Sequence, residues 1–253
     1  MVRGLDKFKE CFKQYADSYI LIGGAACSVA MEESGFDFRA TKDLDLVLCV
    51  GSLDIEFVKA FWEFVKEGRY SKNERSDGKK IFYRFSEPAN KAYPEMLELF
   101  SKLPDSLKFE GEGKLTPIPA DEDTSSLSAI LLDEGYYEFL LAGKRNVEGL
   151  TIIGPEYLIP MKAKAFLDLS KRKEAGEEID EKHIKKHKND VLRLYRILDP
   201  DNRVAVPDNI KVNLLEFLGS IESMPINLKS LGYRQGNLDE IVSGIKEFYV
   251  LKS

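Results

Sequence analysis

Histidine, tryptophan and cysteine are scarce in this chain: two, one and three among 253 residues. Cys11, Cys27 and Cys49 sit singly in apolar segments, with no CxxC spacing. An odd count in that pattern argues against a disulfide framework, and three small core residues are expected. Long apolar runs are also missing. None approaches the ~20 residues of a membrane-spanning helix, so no membrane span is expected. The opening stretch "MVRGLDKFKECFKQYADS" has no apolar signal core or cleavage motif, and a cytoplasmic location is expected. Nor is there an excess of positive charge. Lys and Arg number 37 against 43 Asp and Glu, a net charge of -6, which does not favour non-specific nucleic-acid binding.

What is present is ordinary for a soluble globular protein: 43% apolar and 32% charged residues, in a chain long enough for one large domain or two small ones. Leu5, Phe8, Phe12 and Tyr15 recur at helical spacing. "SYILI" reads as a short buried strand. "GAACSVAMEES" reads as a helix starting at Gly24, with Gly35 just past its end. "LDLVLCV" is a second buried strand, and "SLDIEFVKAFWEFVKEG" an amphipathic helix with Ser52 as its cap. "KKIFYRFSE" and "YPEMLELFS" read as strands joined around Pro88–Asn90, after a polar loop "KEGRYSKNERSDGKK". A strand at "KLTPIP" and a short helix at "DTSSLSAILL" are expected. "YYEFLLAGKRNVEGLTII" reads as a hairpin turning near Gly143–Asn146.

From Pro155 the pattern becomes helical. The first helix opens at Pro155, with Pro160 expected to kink it or delay its start; three more follow. The expected fold class is therefore α+β. A mixed sheet with flanking helices fills residues 1–153, and a helical domain fills 154–253.

The chemistry concentrates in "YILIGGAACSVAMEESGFDFRATKDLDLVL". A strand that runs through Gly23 and Gly24 into a helix lets backbone approach a ligand. The first amides of that helix point outward with the positive end of its dipole behind them, which suits a phosphate. A purely structural tight turn is the plain alternative. In "DLDLV", Asp43 and Asp45 lie two apart and share one face of a strand, with Leu44 and Leu46 on the other. Paired carboxylates repel unless a cation lies between them, and a hard divalent ion such as Mg²⁺ prefers such oxygens. Glu98, between Leu97 and Leu99, is an acidic residue in an apolar strand. Alone it would pair with Arg84 on the neighbouring strand. With Asp43 and Asp45 it would make a three-carboxylate cluster for one or two metal ions.

These residues resemble the signature of the nucleotidyltransferase superfamily, the polymerase-beta-like fold: a Gly-Gly or Gly-Ser turn, a short helix, an Asp-x-Asp strand and a later acidic residue. The form Arg39-x-Thr41-x-Asp43-x-Asp45 is most similar to the AbiEii toxin-like branch. A fainter likeness continues in the helical part, with Lys162 and Ala165 in a Lys-x-x-Ala element and with Lys188 and Asp190. The chain departs from the pattern at Gly24, where many active members have serine, and at Asn189, where the element would read Lys-Asp. The resemblance implies a nucleotidyltransferase-like sheet domain that moves a nucleoside monophosphate from an NTP to an RNA, protein or small-molecule hydroxyl. It implies Mg²⁺ on Asp43, Asp45 and Glu98, two ions at most, and triphosphate held by Gly23, Gly24, Arg39, Thr41 and Lys162. It also implies a toxin–antitoxin role with an antitoxin partner. The alternative is a non-catalytic nucleotide sensor of the same fold; metal-dependent phosphodiester hydrolysis is a third. For Lys162 and Lys164 the plain alternative is a pair of lysines laid along a helix surface.

The other constellations are weaker. His183 and His187 in "HIKKH" share a helix face, but no glutamate follows the first and no third ligand is evident, so surface histidines are expected. Ser125, Ser126 and Ser128 have no histidine close in sequence and no nucleophile-elbow glycines.

Overall fold

The computed structural model describes residues 2–49, 55–74, 80–100 and 133–251. Ser52, the "KLTPIP" strand and the "DTSSLSAILL" helix lie outside the described residues. Contacts divide the chain into two compact units. One is Met1–Thr124 with Lys144–Gly154; the other is Ser125–Gly143 with Pro155–Ser253.

The first unit is built on a mixed sheet. Its strands are β1 (Tyr19–Ile22), β2 (Asp43–Leu48), β3 (Ser71–Glu74), β4 (Lys80–Ser86), β5 (Met96–Phe100), β6 (Lys144–Val147) and β7 (Leu150–Ile153). They lie in the order β3-β4-β5-β2-β1-β7-β6. The β2/β5 and β1/β7 pairs are parallel, and the others are antiparallel. Helices α1 (Leu5–Phe12), α2 (Gly23–Glu33) and α3 (Ile55–Gly68) accompany it, so this part is α+β. Phe8 and Phe12 of α1 meet Tyr19 of β1 and Phe64 of α3 in one aromatic cluster, with Phe8 and Phe12 rings 4.5 Å apart. That cluster follows from the apolar spacing in α1 and α3, each of which buries one face.

Helix α2 is small-residue rich and buried from Gly23 to Met31. Its end follows the sequence: Gly35 takes φ +76, and the amides of Gly35 and Phe36 close back on Glu32 and Met31 at 2.9 Å. Cys27 and Cys49 are core residues, while Cys11 is half-buried.

Two expectations are corrected. Ser71–Glu74, taken as polar loop, is a strand, at the edge of the sheet among the described residues; its polarity suits an edge. The segment read as one long hairpin is a helix, α4 (Glu134–Ala142), followed by the shorter hairpin β6–β7. Asp133 caps α4, accepting from the Gly135 amide at 3.0 Å and the Tyr136 amide at 3.4 Å. The hairpin turns at Glu148–Gly149, both at positive φ (49° and 88°), as a two-residue loop favours. An apolar run such as "YYEFLLA" fits either period, and the cap decides it.

The second unit holds α4 with α5 (Pro155–Glu174), α6 (Glu181–Tyr195), α7 (Asp208–Glu222) and α8 (Leu238–Phe248). Helix α5 starts at Pro155 as expected but runs through Pro160. Pro160 has no amide to give the Glu156 carbonyl one turn earlier. The Tyr249 hydroxyl donates to that carbonyl instead, at 2.6 Å. Burial raises the Tyr249 hydroxyl well above its ordinary pKa and keeps it a donor. Asn237 and Glu240 form a capping box on α8.

Candidate active site

The site grows from one row of residues across the sheet. In register, Ile22 of β1 lies opposite Asp45 of β2, Asp45 beside Glu98 of β5, and Glu98 opposite Arg84 of β4. Directly paired residues share a sheet face, so the row reads Ile22–Asp45–Glu98–Arg84. Asp43 lies two residues before Asp45 on that face. Both aspartates are partly exposed, while Leu44 and Leu46 are buried on the other face. The alternation in "DLDL" produces this directly.

The antiparallel register of β1 and β2 brings Asp45 against the glycine turn. Gly23 takes φ +65, a conformation that favours glycine, and a Cβ there would collide with Asp45 Oδ2. A Cβ on Gly24 would lie 2.6 Å from Thr41 Oγ1 and 3.4 Å from Arg39 Nη2. Thus Gly23, Gly24, Arg39, Thr41 and Asp45 converge on one spot, with room only for a bare backbone. At the cap position of α2, Ile22 has no side-chain oxygen and makes no side-chain cap hydrogen bond. The first amides of α2 are therefore not served by the residue that usually serves them. The Arg39 guanidinium packs over the Phe38 ring, 5.0 Å from its centroid.

Glu98 is buried and accepts from Arg84 Nε at 2.5 Å, with Arg84 Nη2 on the same oxygen, Oε1. The pairing with Arg84 is therefore the arrangement Glu98 adopts. Among the described residues no group of three or more His, Cys, Asp or Glu is arranged to hold a metal ion. Asp45 and Glu98 are paired in register, with Asp43 two residues along β2 on the same face, but Glu98 is turned to a guanidinium. Asp43 and Asp45 are the carboxylates that would hold Mg²⁺, which commonly takes one or two carboxylates and fills its shell with water and substrate phosphate.

Lys162 belongs to the helical unit. Its Nζ lies 3.3 Å from Asp190 Oδ2, with the side chains 6% and 0% exposed, and Arg193 Nη1 stands 3.8 Å from Asp190 Oδ1. It is a buried ion-pair member and not a lysine laid along the surface. Lys188 is also buried; desolvation, then nearby Lys185, holds its pKa below the ordinary value, and its ammonium meets Met224 Sδ at 3.6 Å. His183 is exposed and His187 half-buried. Ser125, Ser126 and Ser128 lie outside the described residues.

The residue that sequence reasoning underused is Arg84. Its signal was there: a basic residue flanked by Tyr83 and Phe85 in a strand next to the one bearing Glu98. No helix among the described residues is long and apolar enough to cross a membrane. Comparison of the chain with protein families, with curated proteins and with solved structures finds no match.

Proposed function

We propose that this protein is a Mg²⁺-dependent nucleotidyltransferase whose active site is the glycine turn and aspartate strand of the sheet unit. The observation that carries this is the convergence of Gly23, Gly24, Arg39, Thr41 and Asp45, in which a Cβ at either glycine would enter the site. A structural tight turn needs a glycine at positive φ, which Gly23 satisfies. It does not need a second glycine faced by a threonine hydroxyl and a guanidinium.

Each residue has a role consistent with its chemistry. The uncapped amides at the start of α2 would bind phosphate oxygens, with the helix dipole behind them. Arg39 would neutralise phosphate charge with its planar fork, and Thr41 would orient that group or donate to phosphate. Asp43 and Asp45 would hold Mg²⁺, which when bound offsets charge on the phosphates and lowers the barrier to their displacement. The acceptor hydroxyl oxygen would attack the α-phosphorus. The new P–O bond forms as the bond to the bridging oxygen breaks, and pyrophosphate leaves. Glu98, beside Asp45 in register, would take the hydroxyl proton on Oε2, the oxygen not held by Arg84. An RNA end, a protein hydroxyl and a small molecule are the acceptor classes, and an antitoxin is the implied partner. Lys162, committed to Asp190, has no step here.

A second reading, nucleotide sensing without turnover, is favoured by Gly24 in place of a serine and by the engagement of Glu98 with Arg84. Incubation of the protein with each α-labelled NTP, Mg²⁺ and bulk RNA or the protein itself separates the two. Label transfer with pyrophosphate release, abolished in a folded Asp43→Ala/Asp45→Ala variant, is expected. Nucleotide binding without any transfer would establish the sensor, and transfer unaffected by the double substitution would reject the site.

A further inference from the structure

The helical unit contains a groove of about 600 Å³ whose residues have no step in the reaction proposed above. It is lined from α5 and α6 and closed by Met224, just past the end of α7. Phe166, Ile184 and Met224 make part of it apolar, and the Phe166 ring is braced edge-on by Phe217, 5.2 Å away. Lys188 also lines the groove and is only 8% exposed. A buried ammonium ordinarily meets a carboxylate, because its charge has left water. Lys188 instead meets the Met224 thioether at 3.6 Å, its one hydrogen-bond partner among the described residues. A thioether is a weak, uncharged acceptor, and an ammonium has three protons to place. The carboxylates nearby are engaged elsewhere. Asp190, two residues on, is taken by Lys162 and Arg193; Glu181 is held by Lys173 at 2.7 Å. Glu174 lines the groove as well, but the charge that acts on Lys188 is that of Lys185, another cation one turn earlier on α6.

We propose that this groove is a ligand site for a small organic anion, with its phosphate or carboxylate head on Lys188 and Lys185 and its apolar body against Phe166, Ile184 and Met224. The groove has the size of a small-molecule site, and its make-up is that of one: apolar walls with a few convergent polar groups. An incoming anion would supply the counter-charge that the fold withholds from Lys188, and its oxygens would accept the ammonium protons that the thioether leaves unused. The apolar lining selects against a bare inorganic ion, which would gain nothing from Phe166 and Ile184. The site lies wholly in the helical unit and does not depend on the nucleotide reading of the sheet unit.

The test is titration of the full chain, labelled at its methionine methyl groups, with four probes: phenyl phosphate, benzoate, inorganic phosphate and the uncharged benzyl alcohol. Calorimetry gives the affinity, and the Met224 methyl resonance, assigned with Met224→Leu, gives the place. Phenyl phosphate or benzoate is expected to bind at least tenfold more tightly than benzyl alcohol and inorganic phosphate, and to move the Met224 resonance with the same midpoint. The tighter of the two identifies the head group. Lys188→Met, which keeps the length of the side chain and removes the charge, is expected to weaken that anion at least tenfold, and Lys185→Gln to weaken it less. Thermal melts show that each variant is folded. Benzyl alcohol binding as tightly as both anions, or a folded Lys188→Met that binds them undiminished, would overturn the proposal. Anion binding that leaves the Met224 methyl unmoved lies elsewhere in the chain and would also overturn it, as would no binding of either anion. Inorganic phosphate binding as tightly as phenyl phosphate would remove the apolar body from the assignment.

Discussion

Each unit of this protein contains an acid–base pair inside apolar surroundings, and the two pairs differ in their access to water. In the sheet unit Arg84 is 42% exposed and Glu98 is 10% exposed. In the helical unit Lys162 is 6% exposed and Asp190 fully buried. Water stabilises the Arg84 charge whether or not Glu98 keeps it, so that pair is exchangeable and suits a site. Lys162 and Asp190 have left water together, and either one stranded alone is an uncompensated buried charge. Similar chemistry thus lies half in water at the candidate site of one unit and wholly inside the other.

The largest expected effect comes from breaking the buried pair. Asp190→Ala should destabilise the helical unit by about 3–5 kcal/mol, whereas Lys162→Met/Asp190→Leu should recover most of this. Thermal denaturation of the single and double variants checks it; equal losses in both would remove the distinction between the units. Next is Tyr249→Phe, which leaves the Glu156 carbonyl without its donor next to Pro160. A loss of about 1–3 kcal/mol is expected by the same measurement.

Gly23→Ala probes the sheet unit at its tightest point. The left-handed backbone costs a non-glycine residue about 1–2 kcal/mol, and the added methyl meets Asp45. Nucleotide binding, followed by calorimetry, should fall by more than that strain alone accounts for. Arg84→Gln should change stability by less than about 1 kcal/mol, as suits a half-exposed pair. A loss comparable to that of Asp190→Ala would make both pairs architectural.

One effect of similar size has the opposite sign. Lys188 has a folded-state pKa below its ordinary value near 10.5, because burial disfavours its charge. The unfolded chain therefore binds more protons between the two values. Stability should rise with pH across that window and stay at its lower level below it. Lys188→Met should raise neutral-pH stability by about 1 kcal/mol and flatten that rise, as melts at stepped pH would record.

Much of the site was legible from local rules. The two-residue period of a strand puts Asp43 and Asp45 on one face, and the two glycines before a small-residue helix mark a close backbone approach. Gly35 as the stop of α2 follows from capping chemistry alone. The edge strand Ser71–Glu74 was not legible, because its polar residues lack the apolar alternation that marks a strand. The helix Glu134–Ala142 was missed because a short apolar run has no period of its own until a cap breaks the tie.

By itself the sequence determined the features from which the candidate site is drawn: a bare backbone turn, two carboxylates on one face and an acidic residue in an apolar strand. Spacing within one element is a local property of the chain, so these need no fold to be read. Only the tertiary structure decided how they combine. The pairing of β1 with β2 sets Asp45 against Gly23, and the pairing of β5 with β4 hands Glu98 to Arg84. The packing of α5 on α6 joins Lys162 to Asp190. Register and helix packing link residues far apart in the chain, and a shift of one residue in pairing would turn each strand residue to the opposite face.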